Sequence, residues 1–547
     1  MTAPALIDRF DQARALLDAE WLEWETSAQA PPVVEVYDKD WQFVSYADAA
    51  LDGDAEWIKN DAGEANVAWL GDHPVGRWMA DEVAEAEDVH LRIVQDGNVW
   101  TGKGQVIEDA MLESGVETVT FEGLHDYQHA KKVYCYPNPW APITLQWPKI
   151  YIYYGPAITG IKQLLLVNLM RRYQHGWAPA PDMFSTFSYR NLQPDRWAQI
   201  VNPLGAGLLH DTSMHTVIVT RMGQFHEIVK PILEDAGLML TAERWLPGDP
   251  QPFPDHAILR MPTLIWDVVD TSGVRGPTGT LVDGFIGLVR SIASDGITET
   301  TQAIPWEEPV EYSQPDFWGT VTRKPAVVFY RQQRWTGAEG SGQVGVRSIK
   351  RRVHKALGHA IITGGRSPGW VNSGIKMLVN AALGWIGMIF LNPGLTLGLL
   401  DDQVEDVVLA FARWDFDARE ALMGRDAYGD VWEPSGGTGF SLSTVGAIRT
   451  GKQATQPYTS FQVEVVNAMP YMIGRHFDIA SPISAEVGRS GRLYTDELRR
   501  KKLSFGPRGI GWDLAIGVDS EERTPIARLG RLLESTKQIV QNLSVQS

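Results

Sequence analysis

Between residues 33 and 125 the chain reads as a series of short runs in which apolar and polar residues alternate. They are VVEVY (33–37), WQFVSY (41–46), ANVAWL (65–70), HLRIV (90–94), VWTGKGQVI (99–107) and ETVTFEG (117–123). A period of two sends successive side chains to opposite faces, so such runs bury their apolar half only as strands. Asp96-Gly97-Asn98 lies between two runs and predicts a tight hairpin turn. A short helix near 76–86 interrupts the series. The pattern points to a small antiparallel barrel or sandwich. A second set of strand-like runs lies at 438–480, GFSLSTV, TSFQVEVVNA and YMIGRHFDIA, and predicts a second small barrel.

A chain of 547 residues is too long for one ordinary core and implies two to four domains. The stretch between the β regions has a different rhythm. GPAITGIKQLLLVNLMRRY (155–173) predicts a helix, with Pro156 in its first turn and Arg171 and Arg172 at its C-terminal end. HTVIVTR (215–221) reads as a strand, and a helix over 224–236 stops at Gly237. Strands are expected at 238–245 and 257–268, long connecting loops over 272–345, and helix over 405–425. Residues 4–24 predict an amphipathic helix through Leu6, Phe10, Ala13, Leu16, Leu17 and Trp21. Residues 524–545 predict another, capped by Thr524, opened by Pro525 and striped with Ile526, Leu529, Leu532, Leu533, Ile539, Val540 and Leu543. That stripe packs on its own domain or forms a seam between copies.

Composition narrows the function. The net charge of −18 argues against sequence-specific nucleic-acid binding, since an acidic field repels phosphates. It suits a channel through which DNA slides without sticking. The one cysteine, Cys135, permits no intrachain disulfide and suits folding in a reducing cytoplasm. Asp8, Arg9, Asp11 and Arg14 fall where a secretory signal needs apolar residues, so none is expected. The 21 tryptophans fit β-sheet packing and interfaces, or sugar-stacking platforms.

Several stretches approach catalytic signatures and fail on a specific atom. Gly340 to Gly345 matches G-x-G-x-x-G, but no acidic residue follows at the distance a ribose requires, and a flexible glycine loop is expected. Gly365 to Gly369 matches G-x-S-x-G, but the residue after Ser367 is Pro368, which has no N–H for an oxyanion hole. Gly446 to Lys452 approaches a phosphate-binding loop, but Gln453 replaces the magnesium-holding hydroxyl, so a hairpin loop is expected. His210 and His215 flank Asp211 without a zinc-binding pattern. No catalytic residue, metal ligand or cofactor is assigned, and the chain is read as a non-enzyme.

The most unusual stretch is MLVNAALGWIGMIFLNPGLTLGLL (377–400), which holds no charge between Lys376 and Asp401. Asn392-Pro393-Gly394 breaks it. The arm before the break would reach roughly 22 Å as a helix, short of a bilayer core of about 30 Å. A hairpin with two apolar arms is expected instead. Its candidate membrane contacts are Leu378, Trp385, Ile386, Met388, Ile389, Phe390, Leu391, Pro393, Leu395 and Leu397. A basic flank precedes it: Arg347, Lys350, Arg351, Arg352 and Lys355. Basic residues beside an apolar insert suit an anionic membrane surface. A buried or interface-protected hairpin is the other reading.

The order of seven stretches resembles the tail-tip hub proteins (Tal-like minor tail proteins) of actinobacterial long-tailed phages. These are EWIKNDAGEANVAWLGDHPVGRW (56–78), VWTGKGQVIED (99–109), GPAITGIKQLLLVN (155–168), ILEDAGLMLTAERWLPGD (232–249), GGRSPGWVNSGIK (364–376), DDQVEDVVLAFARW (401–414) and ATQPYTSFQVEVVNAMPYMIGRHFDIA (454–480). The family is similar to the trimeric baseplate hub of contractile-tailed phages. The resemblance implies an α+β, multi-domain fold: small antiparallel β-barrels of tail-tube type with inserted helices and long loops. The expected divisions are an N-terminal helix (1–30), a first tube-like barrel (31–150), a helix and α/β hub domain (151–330), a glycine/basic loop and apolar tip hairpin (331–404), a second tube-like barrel (405–515) and a C-terminal helix (516–547). It further implies a virion protein at the tail tip, assembled in the host cytoplasm. There a homotrimer would close the tail tube and open for DNA delivery. Its partners would be the distal tail protein ring, the tape measure protein, other minor tail proteins and, through 377–400, the host membrane. The competing readings are a tail-associated cell-wall hydrolase and a membrane-active pore protein.

Overall fold

The computed structural model describes residues 26–83, 87–111, 115–173, 197–205, 208–293, 302–305, 328–330, 346–364, 411–433, 457–465, 471–486, 492–507 and 509–517, with scattered single residues at 12–24 and 448–467. The first β region forms β1 (Val33–Tyr37), β2 (Phe43–Tyr46), β3 (Asp52–Ile58), β4 (Glu64–Leu70), β5 (His90–Gln95), β6 (Asn98–Met111) and β7 (Glu117–His125). The middle contributes β8 (Tyr134–Cys135), β9 (Tyr151–Pro156), β10 (Gln199–Val201), β11 (His215–Thr220), β12 (Gly223–Gln224), β13 (Leu238–Trp245) and β14 (Thr263–Asp270). Later strands are β15 (Gln302–Pro305), β16 (Val328–Tyr330), β17 (Val346–His354), β18 (Ala360–Gly364), β19 (Phe411–Asp415), β20 (Asp430–Glu433), β21 (Tyr458–Val465), β22 (Pro482–Glu486), β23 (Arg492–Gly506) and β24 (Gly509–Ile516). Strands dominate and helices are few, so the class is α+β.

The alternating runs form strands as their period requires. Asp96 and Gly97 both adopt positive φ, 46° and 84°, between the paired residues Gln95 and Asn98. That is the backbone of a two-residue hairpin whose twist matches its strands. Trp69, Trp100, Phe121, Leu91 and Ile93 fill the buried face.

The two β regions do not remain apart. Their hydrogen-bonded order is β17-β21-β24-β23-β3-β4-β7-β6-β5-β1-β2. The seam is β3 against β23, antiparallel, with Ala55 opposite Leu503 and Gly53 opposite Phe505. A Cβ at Gly53 would sit 2.3 Å from the Phe505 ring, so a side chain there would have to displace that ring. Among the described strands this path is open at β17 and β2, and no barrel closure is found. One hydrophobic core joins Trp69 and Trp100 from the first region to Phe461, Leu503 and Leu514 from the second.

A second core belongs to a lobe built from residues 127–268. Its centre is the helix Ala157–Tyr173, buried on nearly every side, as a helix apolar all round must be. The helix Phe225–Ala236 packs on it and ends as expected, with Gly237 left-handed at φ 65°. β14 lies between β10, parallel, and β13, antiparallel.

Other expectations need correction. Pro156 ends β9 rather than opening the helix. The helix start is held instead by Ser213 and Asp211, whose oxygens accept the N–H groups of Ile158 and Thr159 at 3.0 and 2.8 Å. The 257–268 strand begins only at Thr263. The stretch 272–345 is not all loop: it holds the helix Leu281–Ala293, β15 and β16. Residues 405–425 are not one helix, because β19 precedes a short helix, Asp417–Met423. YMIGRHFDIA (471–480) forms turns, not a strand, and GFSLSTV lies outside the described residues. The short helix near 76–86 is Pro74–Arg77 followed by a wide turn, Trp78–Val83. The described residues between 12 and 29 are helical, and the 524–545 helix lies outside the described residues.

Candidate functional site

The ten apolar residues from Leu378 to Leu397 lie outside the described residues. Their basic flank does not form a loop. Arg347, Lys350, Arg351 and Arg352 lie in β17, with Lys355 one residue past its end. β17 is an end strand, paired with β21 so that Arg351 faces Phe461 and Lys350 faces Gln462. Lys350, Arg352 and Lys355 are exposed, and the Arg351 guanidinium lies 4.3 Å from the centre of the Tyr494 ring. Charges on an end strand discourage pairing with another sheet edge. β2, at the other end, is unlike it: Phe43, Val44 and Tyr46 are all exposed.

The polar residues that join sheet to lobe carry no motif in the sequence. They are buried polar groups where the sheet meets the lobe. Asp126, directly after β7, accepts two hydrogen bonds from the Arg244 guanidinium of β13 at 2.8 and 3.0 Å, and a third from Thr101 Oγ1 of β6 at 2.8 Å. Burial favours the neutral carboxyl, but the guanidinium outweighs it and holds Asp126 far below the usual carboxylate range. Bidentate pairing of this kind fixes orientation as well as charge.

A second staple follows β3. Lys59 Nζ donates to Glu497 at 2.6 Å and to Thr271 at 3.1 Å. Burial lowers the Lys59 pKa, against the pull of Glu497. Asn60, at φ 57°, donates to the Leu238 carbonyl and accepts from the Leu240 N–H at 3.0 and 2.8 Å, acting as an extra rung beside β13. Asp61 pairs with Lys131 and, at 2.5 Å, with Lys230. Burial would raise its pKa, but the two ammoniums win and hold it at about 2.

A third group ties the ends of the chain together inside the sheet. The buried Lys501 of β23 donates to Asn98 at 2.6 Å and to Asp478, while Asn98 donates to the Ile473 carbonyl at 2.9 Å. Arg475 reaches Asp96 at 2.6 Å. A sequence signal existed for one of these residues: Arg244 is a cation inside the strand-like run 238–245. Its partner, far away in the chain, carries no such mark.

Gly340 to Gly345 and Gly365 to Gly369 lie outside the described residues. Of the 446–452 stretch, Ile448, Gly451 and Lys452 are helical, not a hairpin loop. The buried Arg419 donates to the Lys452 carbonyl and to Thr455 Oγ1 at 3.1 and 3.0 Å, which fixes that turn. Asp211 is occupied capping a helix, and His215 is buried at the start of β11. Among the described residues, no cluster of three or more His, Cys, Asp or Glu could hold a metal ion, and no helix is long and apolar enough to cross a membrane.

The described geometry is that of a strand-rich α+β protein in which buried ion pairs join a large sheet to a lobe. The chain belongs to the Siphovirus ReqiPepy6 Gp37-like protein family, which matches residues 33–518. It is 28% identical over 543 residues to minor tail protein Gp28 of Mycobacterium phage D29, covering 88% of this chain and 89% of that one. It is 27% identical over 569 residues to the Gp28 of Mycobacterium phage L5, covering 93% of each. Among solved structures it is similar to a tail protein from Neisseria meningitidis MC58 (TM-score 0.40, 8% identity, 90% of this chain and 97% of that one). Another is the 43 kDa tail protein of prophage MuSo2 from Shewanella oneidensis (TM-score 0.39, 9% identity, 89% and 98%). The chain is thus a phage minor tail protein and part of the virion.

Proposed function

We propose that this minor tail protein is the hub at the tail tip. In this reading it is a homotrimer that closes the tail tube, meets the distal tail protein ring and the tape measure protein on one side and other tip proteins on the other, and opens for DNA delivery. The observation that carries it is the seam of β3 with β23, which makes one wall from strands at both ends of the chain. The exposed, uncharged edge at β2 suits continuation of the wall across a neighbouring subunit, whereas the basic end at β17 disfavours further pairing. The −18 net charge suits a conduit that must not hold DNA. The apolar hairpin at 377–400 is assigned to host-membrane contact, with Lys350, Arg352 and Lys355 as basic neighbours in the chain.

The test is the mass of the full-length chain in solution, alone and mixed with the distal tail ring. A threefold mass in the mixture is expected; a monomer in both would overturn the hub reading. Flotation of the full chain with anionic vesicles tests the membrane assignment, and no co-flotation would remove it.

A further inference from the structure

The turn that carries Asp126 has an unusual cap. It is a short 3₁₀ helix, Asp126–Lys132, and its capping residue is His125. His125 Nδ1 accepts the Tyr127 N–H at 3.1 Å. An imidazole can accept there only while that nitrogen has no proton. The turn depends on a neutral histidine, and Asp126, its first residue, depends on the turn for its place against Arg244.

Two more histidines surround the same pair. His129 Nε2 lies 3.7 Å from Asp126 Oδ1. His90 of β5 stacks on Trp41 at 4.5 Å, its Nδ1 2.8 Å from the Asp38 carbonyl. Trp41 also packs against Arg244, whose guanidinium carbon is 4.4 Å from the ring centre. Cations reach the three imidazoles from several elements: Lys103 on β6, Arg172 at the end of the lobe's central helix, Arg244 on β13 and Lys501 on β23; Asp126 opposes them directly, while Lys103 and Lys501 are themselves paired with Asp88 and Asp478. A proton added here enters a region already rich in positive charge.

We propose that the His125-capped turn is an acid-labile latch between sheet and lobe. Protonation of His125 Nδ1 removes the acceptor for the Tyr127 N–H, loosens the turn that holds Asp126, and frees Arg244. The sign follows from the fold. Burial holds His125 and His129 down at about 4 and also lowers His90. An opened turn returns them toward 6.5, the value of a free histidine. The closed form therefore binds fewer protons than the open one. Its advantage is complete above 6.5 and declines as pH falls toward 4. This goes beyond the hub reading and stands whether or not the protein is a trimer.

The test is amide hydrogen exchange on the full chain, corrected for intrinsic rates. Between about pH 7.5 and about pH 4.5, exchange in the turn and along β13 is expected to rise about tenfold or more. His125→Asn keeps a side-chain acceptor suited to a cap but removes the titration, and its exchange is expected to change less than about twofold. Asp126→Asn removes the charge that Arg244 holds, and at about pH 7.5 it is expected to exchange already like the acidified native chain. Unchanged protection of the native turn in acid would overturn the proposal, as would an equal acid response in His125→Asn. Should His125→Asn not fold, Asp126→Asn decides alone, and native-like protection there at about pH 7.5 overturns the latch.

Discussion

The sheet and the lobe bury comparable sets of large side chains, but they gather them differently. The lobe's core, including Leu164, Phe225, Leu240 and Trp266, comes from one continuous stretch, 127–268. The sheet's core joins Trp69 and Trp100 to Phe461, Leu503 and Leu514, across almost the full chain. Local contacts close small loops, while distant ones must overcome a larger loss of chain entropy before they stabilise anything. The lobe should therefore be the first part to fold, and the sheet the part that waits for the C-terminal strands.

The comparison can be broken most severely in the cores. Trp266 and Trp69 are both fully buried. Trp266→Ala in the lobe and Trp69→Ala in the sheet each delete an indole and should each cost about 3–5 kcal/mol. The outcomes should differ in kind. With Trp266→Ala, early protection of the Ala157–Tyr173 amides during refolding should be lost. With Trp69→Ala, that early protection should survive while the sheet's is delayed. Pulse-labelled exchange measures both, and identical patterns would dissolve the distinction. A middle-sized effect is expected at the lobe's helix end. Gly237 has φ 65°, and an added Cβ would lie 2.7 Å from Ser272 Cβ. Gly237→Ala should cost about 1–2 kcal/mol in thermal or denaturant unfolding, without touching the sheet.

A third effect concerns pH. Asp496 of β23 is held up at about 7, first by burial and then by Glu497 beside it. The folded sheet therefore binds this proton more tightly than the unfolded chain. Its contribution is complete below 3.8 and is lost as pH rises through about 7. Asp496→Asn should flatten that part of the stability–pH curve and be near neutral in acid. An unchanged slope in denaturant titrations would show that the carboxyl ionises freely.

Legibility followed the range of the interaction. The hairpin at Asp96-Gly97 and the stop at Gly237 were readable because a few adjacent residues determine each. The start of the lobe's central helix is not legible locally. Pro156 looked like a first-turn residue, but Asp211 and Ser213, brought close by the fold, supply the cap. The stretch 272–345 looked like loop because weak periodicity hides the short strands β15 and β16, which gain their definition from β23 and β22. The basic run 347–355 is expected in a loop, yet most of it is an end strand whose place depends on β21.

By itself the sequence determined the strand-rich character, the apolar faces, the local turns, the acidic balance and, through the order of its segments, the tail-protein resemblance. These are properties of neighbouring residues or of sums over the chain. Only the tertiary structure decided that the two β regions share one sheet and that Asp126 belongs with Arg244. It also decided that the buried Lys59 and Lys501 meet Glu497 and Asn98, each from the opposite end of the chain. A buried charge is tolerated only where its counterpart arrives in space, and no local pattern encodes that arrival.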